Sequence, residues 1–517
     1  MKPLHRLGRV ATIGLVFAAA LLAPVQAADD WMAGFKMPDV KEPAIPARTA
    51  KLTDFGAVPD GKTLCTDAIA KGIESLAAQG GGRLVIPAGV WLTGPIVLKS
   101  NIELRAEEGA LIQFTKDTTQ FKGRALIYGE NLENVAITGH GIFDGAGEAW
   151  RPVKHYKMTE QQWKALIASG GRVDAKQDMW FPSAENGTRR PNMLILRGCQ
   201  RVLLEDAIFQ NSPAWNINPS FCDDVTVRNL TIRNPWFSQN GDGLDLDSCR
   251  NVIIRGTRLD VGDDALCMKS GSGADARKNG RPTENVLIED CTVYHGHGGF
   301  TIGSEMSGGV RNIRVNNCVF IGTDIGLRFK TQRGRGGVVE KIFLSNIRMT
   351  NIPTDAISFN MYYGGAGPTE ETETAGEVAA APVNEGTPQF RDIYIENVTC
   401  LGARRAVQLQ GLPEMPLAGI HLRNVSITAE QGIVCQDVKD ITLSGVEISN
   451  RRGPVASFVG SRQITIDRLT YAAGAETLFK VQGKNNSGIV ATKTDATGAK
   501  QAVALADGAA AGSIELR

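Results

Sequence analysis

The chain has 517 residues, long enough for one large core or several smaller ones. Its 56 lysines and arginines nearly balance 55 aspartates and glutamates, a net charge of +1 that argues against a generic nucleic-acid binder. No stretch after the first thirty residues is apolar enough to span a bilayer, and 58 glycines spread along the chain fit an all-β protein with many turns.

Taken in order, the chain opens with Lys2, His5, Arg6 and Arg9, then the apolar run VATIGLVFAAALLAPV, then small residues before Ala28. Residues 1–27 therefore read as a signal peptide, and the protein is expected to be exported to the periplasm or the medium. Residues 28–49 are a short N-terminal extension. Residues 66–82 place Ile69, Ile73, Leu76 and Ala77 on one helical face and end in a glycine run.

From residue 201 one pattern recurs: a few apolar β-formers, a polar break, another apolar alternation. It reads RVLLEDAIF at 201, DVTVRNLTI at 224, NVIIRGTRL at 251, NVLIEDCTV at 285 and NIRVNNCVF at 312. KIFLSNIRM at 341, DIYIENVTC at 392, GIHLRNVSI at 419, DITLSGVEI at 440 and QITIDRLTY at 463 continue it. Most steps are 21–34 residues, too short for a strand plus a full helix each time. The pattern predicts a single-stranded right-handed parallel β-helix, a solenoid of about ten coils over residues 50–480, with the helix near residue 70 covering its open end. Residues 481–517 read as a further strand or a tail.

Two segments interrupt the repeat. Residues 155–182 carry a capping box, Thr159 with Gln162, ahead of a short helix. Residues 364–388 are acidic and punctuated by proline and glycine. There are nine cysteines, an odd number and without a CxxC pair. Cys291 and Cys318 hold the same place in two repeats, so stacked core thiols are expected rather than disulfides or a zinc site.

The carboxylates concentrate in NGDGLDLDSC (240–249) and VGDDALCMKSG (261–271). Asp242, Asp263 with Asp264, His297, and Arg328 with Lys330 fall on four consecutive repeats at similar phase, which would line them up along one face about 4.8 Å per coil apart. Glycoside hydrolysis needs one protonated carboxyl and one ionised carboxylate, and the inverting form keeps them about 6.5–9.5 Å apart. Cations one or two coils on suit an acidic polysaccharide. A calcium loop of Asp242, Asp245 and Asp247 is the competing reading.

At these residues the sequence resembles glycoside hydrolase family 28, the polygalacturonases. The family's four ordered blocks read here as NGD (240–242), GDD (262–264), GHG (296–298) and RFK (328–330), and DFGAVPDG (54–61) resembles the start of its catalytic domain. Gly241 stands where the family usually has threonine, and Phe329 where it has isoleucine. The resemblance implies inverting hydrolysis of α-1,4-galacturonan with no cofactor; a monomer without a metal is expected, and the charge balance and lack of an apolar span point to no nucleic-acid or membrane partner. The resemblance also implies Asp263 as general acid, Asp242 and Asp264 as water-activating groups, and His297 as support for the acid. Asn240, Arg328, Lys330 and Tyr362 become the substrate contacts, with Tyr363 competing for the last place. The insertion at 155–182 is expected to wall off one end of the groove and favour exo action. A calcium-dependent lyase on the same fold, a rhamnogalacturonan- or xylogalacturonan-directed hydrolase and a non-catalytic glycan-binding solenoid are the alternatives.

Overall fold

The computed structural model describes residues 30–123, 125–183, 189–364 and 379–517. The signal-peptide reading of residues 1–27 and most of the acidic segment 364–388 lie outside the described residues. Strand pairing in the main sheet is parallel throughout and winds the chain into a right-handed β-helix. Each coil crosses three sheets. In the coil after residue 200, for example, Gln200–Glu205 belongs to the first sheet, Ile208–Gln210 to the second and Ile217–Ser220 to the third.

All ten repeat units begin on a strand of the first sheet. The sheet also extends beyond them: Thr49–Lys51, Gly82–Ile86, Ile102–Ala106 and Glu133–Thr138 precede the units, and Ser487–Thr492 and Ile514–Leu516 follow. The solenoid is thus longer than the ten coils expected, and its last residues are ordinary coils. Val202, Val225, Val252, Val286, Ile313 and Ile342 stack in register, each 0% exposed. Burying one such side chain is worth about 1.5–3 kcal/mol, so a column of them holds neighbouring coils together.

The asparagine that opens several units has a backbone cause. Asn251, Asn285 and Asn312 adopt φ of 58°, 57° and 54°, a left-handed conformation that asparagine tolerates better than most residues. Their amides then form a ladder: Asn312 donates to Asn285 at 2.7 Å, and Asn285 to Asn251 at 3.0 Å. All nine cysteines are free and buried.

The helix Thr66–Ala78 buries Ile69, Ile73 and Leu76 over the first coils. The N-terminal extension runs back along the outer face of the first sheet, against the direction of winding. Trp31 packs at 5.7 Å on Tyr394 and 5.8 Å on His421, and Phe35 at 6.3 Å on Phe343. Further along, the Lys36 carbonyl accepts from Asn312, Glu42 pairs with Arg228, and Arg48 donates to the Gly81 carbonyl at 2.8 Å.

The interruption at 155–182 forms the expected capped helix, Glu160–Ala168, with Thr159 and Gln162 as its box. It also forms a small antiparallel sheet of Val153–Lys154, Arg172–Asp174 and Met179–Phe181. Among the described residues no helix is long and apolar enough to cross a membrane.

Candidate active site

The site sits on the third sheet, where Leu244, Leu266, Phe300 and Leu327 pair in register and point into the core. That register fixes everything around them. One residue further on, Asp245, Cys267, Thr301 and Arg328 share a column on the side of the sheet away from the core. Two residues earlier, Asp242 and Asp264 sit side by side at the strand entrance. Asp263 and His297 occupy the preceding turn, where the His297 amide donates to the Asp263 carbonyl at 2.9 Å. Arg328 and Lys330 are therefore not at the phase of the aspartates, as the spacing suggested, but further along the strand. They reach back to the aspartates through their length.

Asp242, Asp263 and Asp264 each bring a carboxylate oxygen within 4.8 Å of the other two. The approach is tighter than the 6.5–9.5 Å separation expected of coils presenting an inverting pair. Asp264 is 1% exposed and its oxygens are taken: Arg328 Nη1 donates at 2.8 Å, Lys330 Nζ at 2.6 Å and Thr301 Oγ1 at 3.2 Å. Burial alone would raise its pKa, but Lys330 and Arg328 outweigh it and hold the carboxyl below the ordinary range. The glycine at 298 leaves room for this: a Cβ there would lie 2.2 Å from Thr301 Oγ1 and 3.2 Å from both Arg328 Cδ and Asp264 Oδ1. The departure at Gly241 also has a local reason, since a Cβ there would stand 1.9 Å from Ser238 Oγ.

Asp242 is 3% exposed, and among the described residues its Oδ1 has no hydrogen-bond partner. Burial pushes its pKa well above the ordinary carboxylate range, and the charges of Asp245 and Asp263 add to that effect. Three carboxylates this close share their protons as a unit. Asp264 is the ionised member, and Asp242 is the one whose surroundings favour the protonated form. Asp263 is the only half-exposed one of the three.

Beneath them lies a buried pair. Asp245 is 0% exposed, and its pKa is pushed up to about 7, chiefly by burial. Lys269 Nζ stands 3.5 Å from Asp245 Oδ1, 3.2 Å from Glu305 Oε2 and 4.7 Å from the centroid of the Trp215 ring. Asp247 accepts instead from Ser248 and from the Gly271 amide. Asp242, Asp245 and Asp247 consequently do not converge as a calcium loop, and the carboxylates that do converge include one already saturated by cations.

Around the cluster, His297 Nδ1 lies 3.4 Å from Asp324 Oδ2. Asn240 is exposed and accepts from Arg190 Nη2 at 2.8 Å, while the other arm of that guanidinium holds the Pro213 and Gln239 carbonyls. Tyr362 corrects the expectation: it is 7% exposed, with Arg333 5.3 Å above its ring, and it does not face the aspartates' cations. Tyr363 does. Its ring centroid is 4.9 Å from Lys330 Nζ and 5.8 Å from Arg328 Cζ. The two tyrosines alternate at the end of a strand, and a shift of one residue exchanges the core for the cleft.

Upstream of the cluster, on the same sheet, an open cleft of about 1260 Å³ is lined by Arg189, Arg190, Arg197, Trp215 and Asn240 among others. The 155–182 insertion packs Val153, Trp163 and Trp180 against Phe237 in the turn before Asp242. Lys269, Thr301, Arg190 and Asp324 were not singled out as site residues by the sequence, and Asp245 only as a calcium ligand. Odd offsets from the inward-pointing Leu244, Leu266 and Phe300 place Asp245, Lys269 and Thr301 on the outward side.

The family model for glycosyl hydrolases family 28 matches residues 153–441, which include every residue of the cluster. The chain belongs to this family. A probable polygalacturonase of Vitis vinifera is 31% identical over 428 residues, 77% of this chain and 79% of the relative. An exo-poly-α-D-galacturonosidase of Dickeya chrysanthemi is 25% identical over 476 residues, 83% of this chain and 75% of the relative. Among solved structures, a hyperthermoactive exopolygalacturonase from Thermotoga maritima superposes with a TM-score of 0.64 at 34% identity, over 75% of this chain and 89% of that one.

Proposed function

We propose that this family 28 member is a polygalacturonase that hydrolyses α-1,4-galacturonosyl linkages with inversion. The observation that carries this reading is the trio Asp242, Asp263 and Asp264, with one member held ionised by Arg328 and Lys330. Hydrolysis needs a proton donor and an ionised acceptor a water's width apart, and the trio supplies both.

Asp263, the half-exposed member, donates to the glycosidic oxygen. Asp242 and Asp264 hold the attacking water from its two sides and take its proton between them. Both oxygens of Asp264 are pinned by its cations, so it is a poor nucleophile, and water is the species free to reach the anomeric carbon. That argument favours inversion despite the short carboxylate spacing. His297, beside Asp263 and Asp324, supports the acid's return to its protonated form. Arg328 keeps spare guanidinium donors for a uronate carboxylate, with Tyr363 over it, whereas Lys330 is 7% exposed and serves mainly Asp264.

We assign exo action, which the names of the Dickeya and Thermotoga relatives support, and export, which the basic and then apolar N-terminus supports. Time-resolved product analysis on polygalacturonate tests the whole reading. Short products from the first minutes with little loss of viscosity are expected, and proton NMR should show the anomer opposite to the substrate linkage. Absence of turnover would overturn the activity, an early collapse of viscosity the exo mode, and retention of configuration the role given to water.

A further inference from the structure

The insertion brings a side chain to the cluster that the family blocks do not contain. Its small core docks on Phe237 and so fixes Lys157 beside the turn that leads into Asp242. Lys157 is half-buried, and its ammonium lies 6.0 Å from the centroid of the Trp236 ring. Among the described residues it has that ring contact but no hydrogen bond or ion pair. Burial lowers its pKa below the ordinary lysine range. The charges of Asp263 and Asp324 act the other way.

A partly desolvated ammonium without a bound anion gains when an anion arrives. Trp236 itself is 57% exposed. An indole presented to solvent next to a cation offers an apolar face and a charge together, which is what the ring and carboxylate of a uronic acid require. Trp236 belongs to the turn that enters the third sheet and Tyr363 to the turn that leaves it, so the two aromatic residues lie at opposite edges of that sheet. Each ring stands beside cations, Lys157 on one edge and Arg328 with Lys330 on the other.

We propose that Lys157 and Trp236 form a uronate-binding position on the cleft edge beside Asp263, the ammonium taking the sugar carboxylate and the indole the sugar ring. This deepens the polygalacturonase reading and rests on it. The insertion is then a specificity element that adds a second carboxylate contact, rather than a wall across the groove.

The test uses the full chain with Lys157→Met, Lys157→Arg and Trp236→Ala. On oligogalacturonates, Lys157→Met should raise KM about tenfold or more, the loss expected for one charge-assisted hydrogen bond, with kcat little changed. Lys157→Arg should restore most of it, and Trp236→Ala should raise KM as well. An unchanged KM in Lys157→Met, or a shifted alkaline limb of the pH profile in its place, would overturn the proposal, the latter by showing that Lys157 only tunes Asp263. If Lys157→Met melts early, Trp236→Ala decides, because its ring is not part of the insertion's core. Calorimetric binding of trigalacturonate separates this proposal from the activity itself: weaker binding by Lys157→Met supports the position even in the absence of turnover, and equal affinity refutes it.

Discussion

The ammonium of Lys330 lies 2.6 Å from Oδ2 of Asp264, and neither side chain is more than 7% exposed. An ion pair this deep is costly to break from one side, because the remaining charge has neither water nor partner. Lys330→Met should therefore cost about 3–5 kcal/mol of stability, read by denaturant unfolding. It should also raise the pKa of Asp264 and move the acid limb of kcat towards neutrality. An acid limb that stays in place would show that Lys330 does not set the ionisation of Asp264.

Asp263 is the one member of the trio that is not fully buried. Asp263→Asn should lower kcat by about 10²–10⁴-fold, the usual loss for a general acid, while oligogalacturonate still binds with near-native affinity. Near-normal turnover would transfer the acid's role to Asp242.

Asp245 gives a pH signature in stability rather than in rate. Its pKa is raised to about 7 in the folded chain, against about 3.9 when unfolded. Between pH 4 and 7 the folded state binds the extra proton, so this group's contribution falls as pH rises through that window and is flat above it. Asp245→Asn, close in shape to the protonated acid, should be nearly neutral at pH 5 and stabilising relative to wild type at pH 8. Melting curves at the two pH values check this, and a variant equally destabilised at both would refute it.

Chelation addresses the lyase alternative. Asp264, one of three converging carboxylates, already accepts from Arg328, Lys330 and Thr301. A divalent cation would have to displace two positive charges to use it. Turnover of polygalacturonate should persist in excess EDTA without unsaturated products absorbing in the ultraviolet. Calcium-dependent activity would overturn the hydrolase.

Much of this was legible in the sequence, for a physical reason. A solenoid repeats its burial pattern coil by coil, so the ten units from residue 201 stand out by period alone. The early strands were expected but their coils were not counted, because GRLVIPAGVWLTGPIVLKSNIELR runs several short strands together with little polar break. The last coils read only as a strand or a tail, because alanine and glycine carry little hydrophobic signal. At the site, the aspartates and His297 were visible because they flank the strand starts. Arg328 and Lys330 were identified, but not their engagement with Asp264, because turn lengths vary and sequence spacing does not give depth along a strand. Lys157 left no trace, since only the docking of Trp163 and Trp180 on Phe237 brings it near Asp263.

The strap from Trp31 to Arg48 has a consequence for how the molecule comes apart. A plain stack of coils frays from either end, each unit answering only to its neighbours. Here Arg48 is anchored beside the first coils, while Trp31 grips Tyr394 and His421 far along the stack. The beginning of the chain is thereby tied to a region synthesised hundreds of residues later, and the latch cannot close until those coils exist. Unzipping from the front must first release that late-formed grip, so the intervening coils are expected to open together, as one cooperative block, rather than one at a time.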